Sequence, residues 1–158
     1  MPHIHEKIDF TVDVYIVHKN KVLIRKHDKY GMWCAPGGHI ELDENPNQAV
    51  IREAKEEVGL DITLLEPRKR LTIAHKNRRE LTPPFFMNIH PVNETHQHNS
   101  LTYFATSESD TVVPEKPTDE WKWLTVEELE QNELGIGEEY LFYAREALKA
   151  AAGKVNKL

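Results

Sequence analysis

Between Asn45 and Gly59 the sequence permits little besides one helix with two chemically different sides. Asn45 is a strong N-cap, Pro46 suits the first helical position, and Gly59 suits the stop. On a helix advancing about 100° per residue, Val50, Ile51, Ala54 and Val58 gather on an arc that can face a core. Glu53, Glu56 and Glu57 fall on the adjoining face, and Ala49, one turn earlier, leaves room beside them. Like charges three and four residues apart repel by roughly 0.2–0.5 kcal/mol per exposed pair, and carboxylates near a helix C-terminus oppose its dipole. A divalent cation reverses both penalties. Magnesium takes a few carboxylates, several waters and phosphate oxygens, and it can polarise phosphorus and activate water. Taken alone, such a face is more often plain solvated surface, with Arg52 and Lys55 as ordinary salt-bridge partners. The flanking residues decide between the two.

Gly37 and Gly38 precede the helix and allow close approach of the backbone or positive φ. A carbonyl there can add a metal ligand. Arg52 stands four residues before Glu56, its fork suits holding carboxylates, and Glu44 is its expected partner from the loop. Arg25, Lys26, Arg78 and Arg79 could meet phosphates, although such residues are more often solvated surface. Trp33, Phe85 and Phe86 could stack on a base, but are more often core or pocket wall.

The spacing of Gly38, Glu44, Arg52, Glu53, Ala54, Lys55, Glu56, Glu57, Val58, Gly59 and Leu60 resembles the Nudix box. That motif is a glycine, five residues, a glutamate, seven residues, then R-E-U-x-E-E-x-G-U with U aliphatic. Every fixed position matches, with Ala54 a small occupant of the aliphatic place. The run Trp33 to Gly38 is similar to the family's approach into the box, and Glu120 to Leu129 to its late tryptophan strand and short helix. The resemblance implies an α/β fold, an α/β/α sandwich around a mixed sheet. It also implies hydrolysis at phosphorus in a nucleoside diphosphate linked to another group. Glu53, Glu56, Glu57 and a carbonyl near Gly37 would hold Mg2+, with Mn2+ a substitute. Arg52 and Glu44 would support them, and Arg25, Gly38 and Arg78 would contact substrate. One of those glutamates or an outside carboxylate would activate water; Glu115 and Glu120 are the outside candidates, ahead of Glu94. The region around His75 to Arg79 lacks the proline or tyrosine of the ADP-ribose and diadenosine-polyphosphate types. The NADH and coenzyme A motifs are also absent, which leaves a nucleoside triphosphate or another nucleotide derivative.

The rest of the chain fits this frame. Phe10, Val12, Val14 and Ile16 alternate along a predicted strand Asp9–His18, and Val22–Ile24 continues it as a hairpin. Further strands are predicted at Ile62–Leu65, Leu71–Ala74, Phe85–Ile89, Leu101–Ala105 and Trp121–Leu124. Thr125 with Glu128 forms a capping box for a short helix through Leu129, and a last helix covers Gly137 to Ala152. A chain of 158 residues suits one domain over residues 1–158, with flexible ends at 1–7 and 153–158. The net charge of −6 and the absence of a basic run argue against duplex nucleic acid as a partner. Cys34 stands alone, so no intrachain disulfide forms. Without an apolar leader or a membrane span, a cytoplasmic protein acting on a small nucleotide is expected, with a homodimer left open. His90, His96 and His98 lie close together in sequence, but no cysteine or third ligand accompanies them. They are read as surface or pocket residues rather than a zinc site. Two other function classes compete: a Nudix-like module that binds nucleotides without catalysis, and a protein holding structural calcium. The intact glutamate set opposes the first, and the missing calcium loop opposes the second.

Overall fold

The structure, a computed structural model, describes residues 6–71, 73 and 75–153. The elements are β1 (Ile8–His18), β2 (Lys21–Lys26), β3 (Trp33–Cys34), β4 (Gly37–His39), α1 (Pro46–Val58), β5 (Thr63–Leu64), β6 (Phe86–Pro91), β7 (Gln97–Thr106), β8 (Trp121–Leu124), α2 (Val126–Gln131) and α3 (Glu138–Ala151). Strand β1 organises the sheet. Strand β7 runs parallel to it, from Ile8 opposite Gln97 to Val17 opposite Thr106, and so occupies one whole edge. The other edge is shared. Strand β4 pairs at Thr11 to Asp13, and β2 pairs at Val17 and His18, both antiparallel. Between them the Val14 N–H donates to the Pro36 carbonyl at 2.9 Å. The remaining pairs are antiparallel, so the sheet is mixed.

Period-two alternation puts apolar side chains on both faces of β1, and each face has its own helix layer. Val12, Val14 and Ile16 join Leu23, Leu101, Tyr103 and Ala105 against Ala49, Val50, Ala54 and Val58 of α1. Tyr15 and Val17 join Val22, Ile24 and Phe104 against Leu129 of α2 and Leu141, Ala144 and Ala147 of α3. This is the expected α/β/α sandwich. Phe85 stacks on Phe104 with ring centroids 4.3 Å apart, and Phe86 meets Phe104, Phe142 and Tyr143. Both phenylalanines serve the core. No helix among the described residues is long and apolar enough to cross a membrane.

Helix α1 has the predicted boundaries. The Asn45 side chain accepts from the Asn47 and Gln48 N–H groups, Gln48 returns a capping-box contact, and Gly59 ends the helix at φ 70°. Thr125 and Glu128 form the predicted box on α2. Three expectations differ. Leu71 and Ile73 are exposed and lie outside any strand, while Thr72 and Ala74 of that predicted strand lie outside the described residues. An apolar run with no sheet edge to join stays a loop. Strands β6 and β7 extend through the polar residues His90 and Gln97 to Ser100, because ladder hydrogen bonds, not hydrophobicity, hold an edge hairpin. Ile51 is 46% exposed, whereas Glu53 is only 5% exposed. The buried arc is therefore rotated toward the acidic side relative to the sequence expectation. The proposed flexible ends fall largely outside the described residues, at 1–5 and 154–158.

That rotation has a measurable consequence. Val50→Ala should lower the unfolding free energy by about 2 kcal/mol, from lost burial plus a cavity. Ile51→Ala should cost under about 0.5 kcal/mol, as exposed substitutions do. Urea denaturation of the two variants gives the comparison, and equal losses would contradict the rotated arc.

Candidate active site

The acidic side of α1 is folded inward against β4 and the loop that follows it. Arg52 holds it there. Its Nε and Nη2 grip the two Glu44 oxygens at 3.1 and 2.6 Å, the pairing expected from sequence. Its Nη1 donates to Glu53 Oε1 at 2.8 Å and to Glu56 Oε2 at 3.0 Å. Nη2 also donates to the His39 carbonyl at 3.0 Å, which ties the helix to β4. The cluster holds the Glu44 carboxyl below its ordinary pKa, chiefly through the Arg52 bond, and raises that of Arg52.

Glu57 has a different support. Arg25 Nη1 donates to its Oε1 at 2.8 Å, and the Gly37 N–H donates to Oε2 at 2.9 Å. Burial nevertheless dominates and pushes the Glu57 carboxyl up to about 7, against the pull of Arg25 and Gly37. Burial also raises Glu53, with Arg52 pulling it back. Glu56 is the open member, its side chain 57% exposed.

The two glycines of β4 are dictated by this packing. A Cβ on Gly37 would stand 2.2 Å from the Val12 carbonyl oxygen and 2.8 Å from Asp13 Cα, so β1 could not come this close to any other residue. A Cβ on Gly38 would stand 2.2 Å from Glu53 Oε1. Gly38 therefore makes room for the Glu53 carboxylate.

The other sequence candidates separate. Arg25 is buried and spends its donors on Glu57 and, at 3.5 Å, Asp28. Its pairing with Glu57 was not foreseen, because the two are joined only through the β2–β3 arrangement. The Glu115 N–H donates to the Glu57 carbonyl at 3.2 Å, and the Glu115 charge helps raise the Glu57 carboxyl. Glu120 lies in the open, bridged to Lys26 at 2.7 Å. Arg78 sits on an exposed loop beside Glu80, also at 2.7 Å. Trp33 packs on the second core cluster with Lys26 over its ring. Burial pushes the Cys34 thiol up to about 12, which leaves it protonated and unreactive at neutral pH. Strand β4 also ends in a group of histidines: His39, His96 and His98 stand around Asp9, and His90 lies against His98. His90 and His98 face each other in the β6–β7 ladder rather than lying in a loop. Burial, helped by the neighbouring imidazoles, holds His98 down to about 4, so its ring is neutral at pH 7.

The box residues fit a divalent cation. Glu44, Glu53, Glu56 and Glu57 stand against only two guanidinium groups, Arg25 and Arg52. Fully ionised, they leave two negative charges uncompensated among the described residues, in a place where Glu56 alone is well exposed. Hard carboxylate oxygens are the donors such an ion takes.

Comparison with known proteins agrees with this geometry. The model of the NUDIX domain family matches residues 8–145. A NUDIX-family hydrolase of known structure from Clostridium perfringens superposes with a TM-score of 0.79 at 37% identity, covering 89% of this chain and 96% of that one. An 8-oxo-dGTP diphosphatase from Proteus vulgaris is 41% identical over 90 residues, 52% of this chain and 76% of that one. A CTP pyrophosphohydrolase from Escherichia coli (strain K12) is 26% identical over 110 residues, 63% of this chain and 77% of that one. With the box intact on a capped helix and the whole sandwich matched, the chain belongs to the Nudix hydrolase family, enzymes that hydrolyse the diphosphate linkage of nucleotide-derived substrates.

Proposed function

We propose that this chain hydrolyses a nucleoside triphosphate or a close nucleotide derivative, with Mg2+ held by Glu53, Glu56, Glu57 and the Gly37 carbonyl. The observation that carries this reading is the charge imbalance around α1: four carboxylates, Glu53 buried, Glu44 and Glu57 half-buried and Glu56 exposed, against two arginines. When bound, a divalent cation supplies charge stabilisation on the phosphoryl oxygens and lowers the pKa of a water. The protein does the positioning. Arg52 sets Glu53 and Glu56 on one side, Arg25 and the Gly37 N–H set Glu57 on the other, and Gly38 admits Glu53. Arg25 thus acts through Glu57 rather than on a phosphate. Arg78, exposed beside Glu80, is accessible to one. A glutamate of the helix face, or Glu115 beside Glu57, takes the proton from the attacking water. The triphosphate reading draws support from relatives whose names are an 8-oxo-dGTP diphosphatase and a CTP pyrophosphohydrolase, each matched over about three quarters of its length.

Release of phosphate and pyrophosphate from nucleoside triphosphates and nucleotide sugars, with Mg2+ and with chelator, tests the reading. Mg2+-dependent release of pyrophosphate from triphosphates is the expected result. A folded protein releasing nothing from any of them would favour a binding module without catalysis.

Two variants test the roles. Glu57→Gln should lower kcat by about 10²-fold or more, since it weakens charge stabilisation where the reaction needs it. Gly38→Ala should be comparably damaging, because the methyl would occupy the Glu53 carboxylate's place. Steady-state kinetics with circular dichroism as a fold control decides both; full activity in either would refute the assigned role.

A further inference from the structure

Asp9, His39 and His98 come from three strands and meet at the end of β4 remote from Gly37. Parallel pairing sets Asp9 opposite His98, and antiparallel pairing sets Thr11 opposite His39. One ligand atom from each of the three lies within 4.8 Å of the other two. Asp9 is fully buried, and its Oδ2 lies 3.2 Å from His39 Nε2. The His39 and His98 rings meet edge-on with centroids 4.9 Å apart, and the His90 ring lies 5.7 Å from that of His98.

We propose that Asp9, His39 and His98 form a transition-metal site, best fitted to Zn2+, separate from the glutamate site of α1. Zinc binds imidazole nitrogen and carboxylate oxygen at about 2.0–2.2 Å, which puts tetrahedral ligand atoms about 3.3 Å from one another. Asp9 and His39 already stand at that separation. The widest pair has to close by about 1.5 Å at most, within the reach of side-chain rotation. Two imidazoles and one carboxylate select zinc and its neighbours over magnesium, which prefers oxygen donors and keeps its waters. Three protein ligands leave one position for water or for His90.

The surroundings are those of an oriented ligand set. His96 Nε2 lies 3.1 Å from Asp9 Oδ2, and its Nδ1 lies 3.3 Å from the Glu6 carbonyl, so the carboxylate is held from behind. The His39 carbonyl accepts from Arg52, so the backbone of that ligand is fixed by the box itself. A carboxylate accepting from two imidazoles would account for His39 and His96 alone. His98 and His90 bring two further imidazoles to the group from β7 and β6. An ion there joins β1, β4 and β7 and stabilises the fold by binding only its native arrangement.

The test uses the full chain, stripped with chelator, reloaded with ZnCl2, desalted and assayed for retained zinc by mass spectrometry. One equivalent should remain in the wild type and in Glu53→Gln, whose helix-face site is damaged. His98→Asn should bind zinc at least about 100-fold more weakly. In the unsubstituted protein, the His39 and His98 ring protons should shift in NMR spectra with the first equivalent of Zn2+, which keeps the test open should His98→Asn fold poorly. Cobalt should give visible bands of tetrahedral intensity in wild type and lose them in His98→Asn. Zinc retention that disappears in Glu53→Gln, or persists undiminished in folded His98→Asn, would overturn the site. So would unmoved His39 and His98 resonances. None of these readings depends on hydrolysis, so failure here is distinct from failure of the proposed activity.

Discussion

Arg52 donates to Glu44, Glu53, Glu56 and the His39 carbonyl from one guanidinium, while Arg25 and the Gly37 N–H hold Glu57. This lattice makes the acidic side of α1 tolerable inside the sandwich. A carboxylate removed from water costs several kcal/mol unless it is paired and hydrogen-bonded. Glu53 is buried and Glu57 half-buried, so they depend on those donors. The rest of the active face follows. Gly38 must lack a side chain to admit Glu53, Gly37 must let β1 approach, and α1 must start at Asn45 so that Glu53 and Glu57 arrive at β4. Among the described residues the arginines compensate only part of the charge, and the proposed divalent cation would balance the remainder.

The same burial couples folding to pH. Because burial raises Glu57 above its ordinary value in the folded chain, its ionisation works against folding. That cost is absent below about 4.5, grows as pH rises, and is complete above about 7. A cation held by Glu57, as proposed, would offset it at neutral pH, so that metal binding and stability would rise together.

Much of this was legible in the sequence because it is local. The caps at Asn45 and Gly59, the box at Thr125 and Glu128, and the Arg52–Glu44 pair are set by spacing along one helix or its flanking loop. The α1-facing side of β1 was visible as the alternation of Val12, Val14 and Ile16, whereas burial of Tyr15 and Val17 on the opposite face emerges only with α2 and α3 in place. What was not legible depends on which strands neighbour each other. The Arg25–Glu57 contact needs the sheet to bring the Arg25 side chain of β2 to Glu57, and the rotation that exposes Ile51 and buries Glu53 is set by the seat of α1 on β4. Asp9, His39 and His98 meet only through the parallel β1–β7 and antiparallel β1–β4 registers. Histidine spacing groups His90, His96 and His98, which the sequence reading took as surface or pocket residues, and gives no sign that Asp9 and His39 stand beside them. Strand β4 is thus where the two proposed sites would join: Gly37 and Gly38 serve the glutamates, and His39 turns its ring to Asp9 while its carbonyl takes Arg52.

The central claim, that buried carboxylates on α1 are held short of full compensation until a cation binds, is tested most directly by carbon NMR titration of the Glu57 carboxyl. In metal-free protein its midpoint should lie near 7, and saturating Mg2+ should drive it well below that value. A midpoint at its ordinary 4.5, unmoved by Mg2+, would contradict the account.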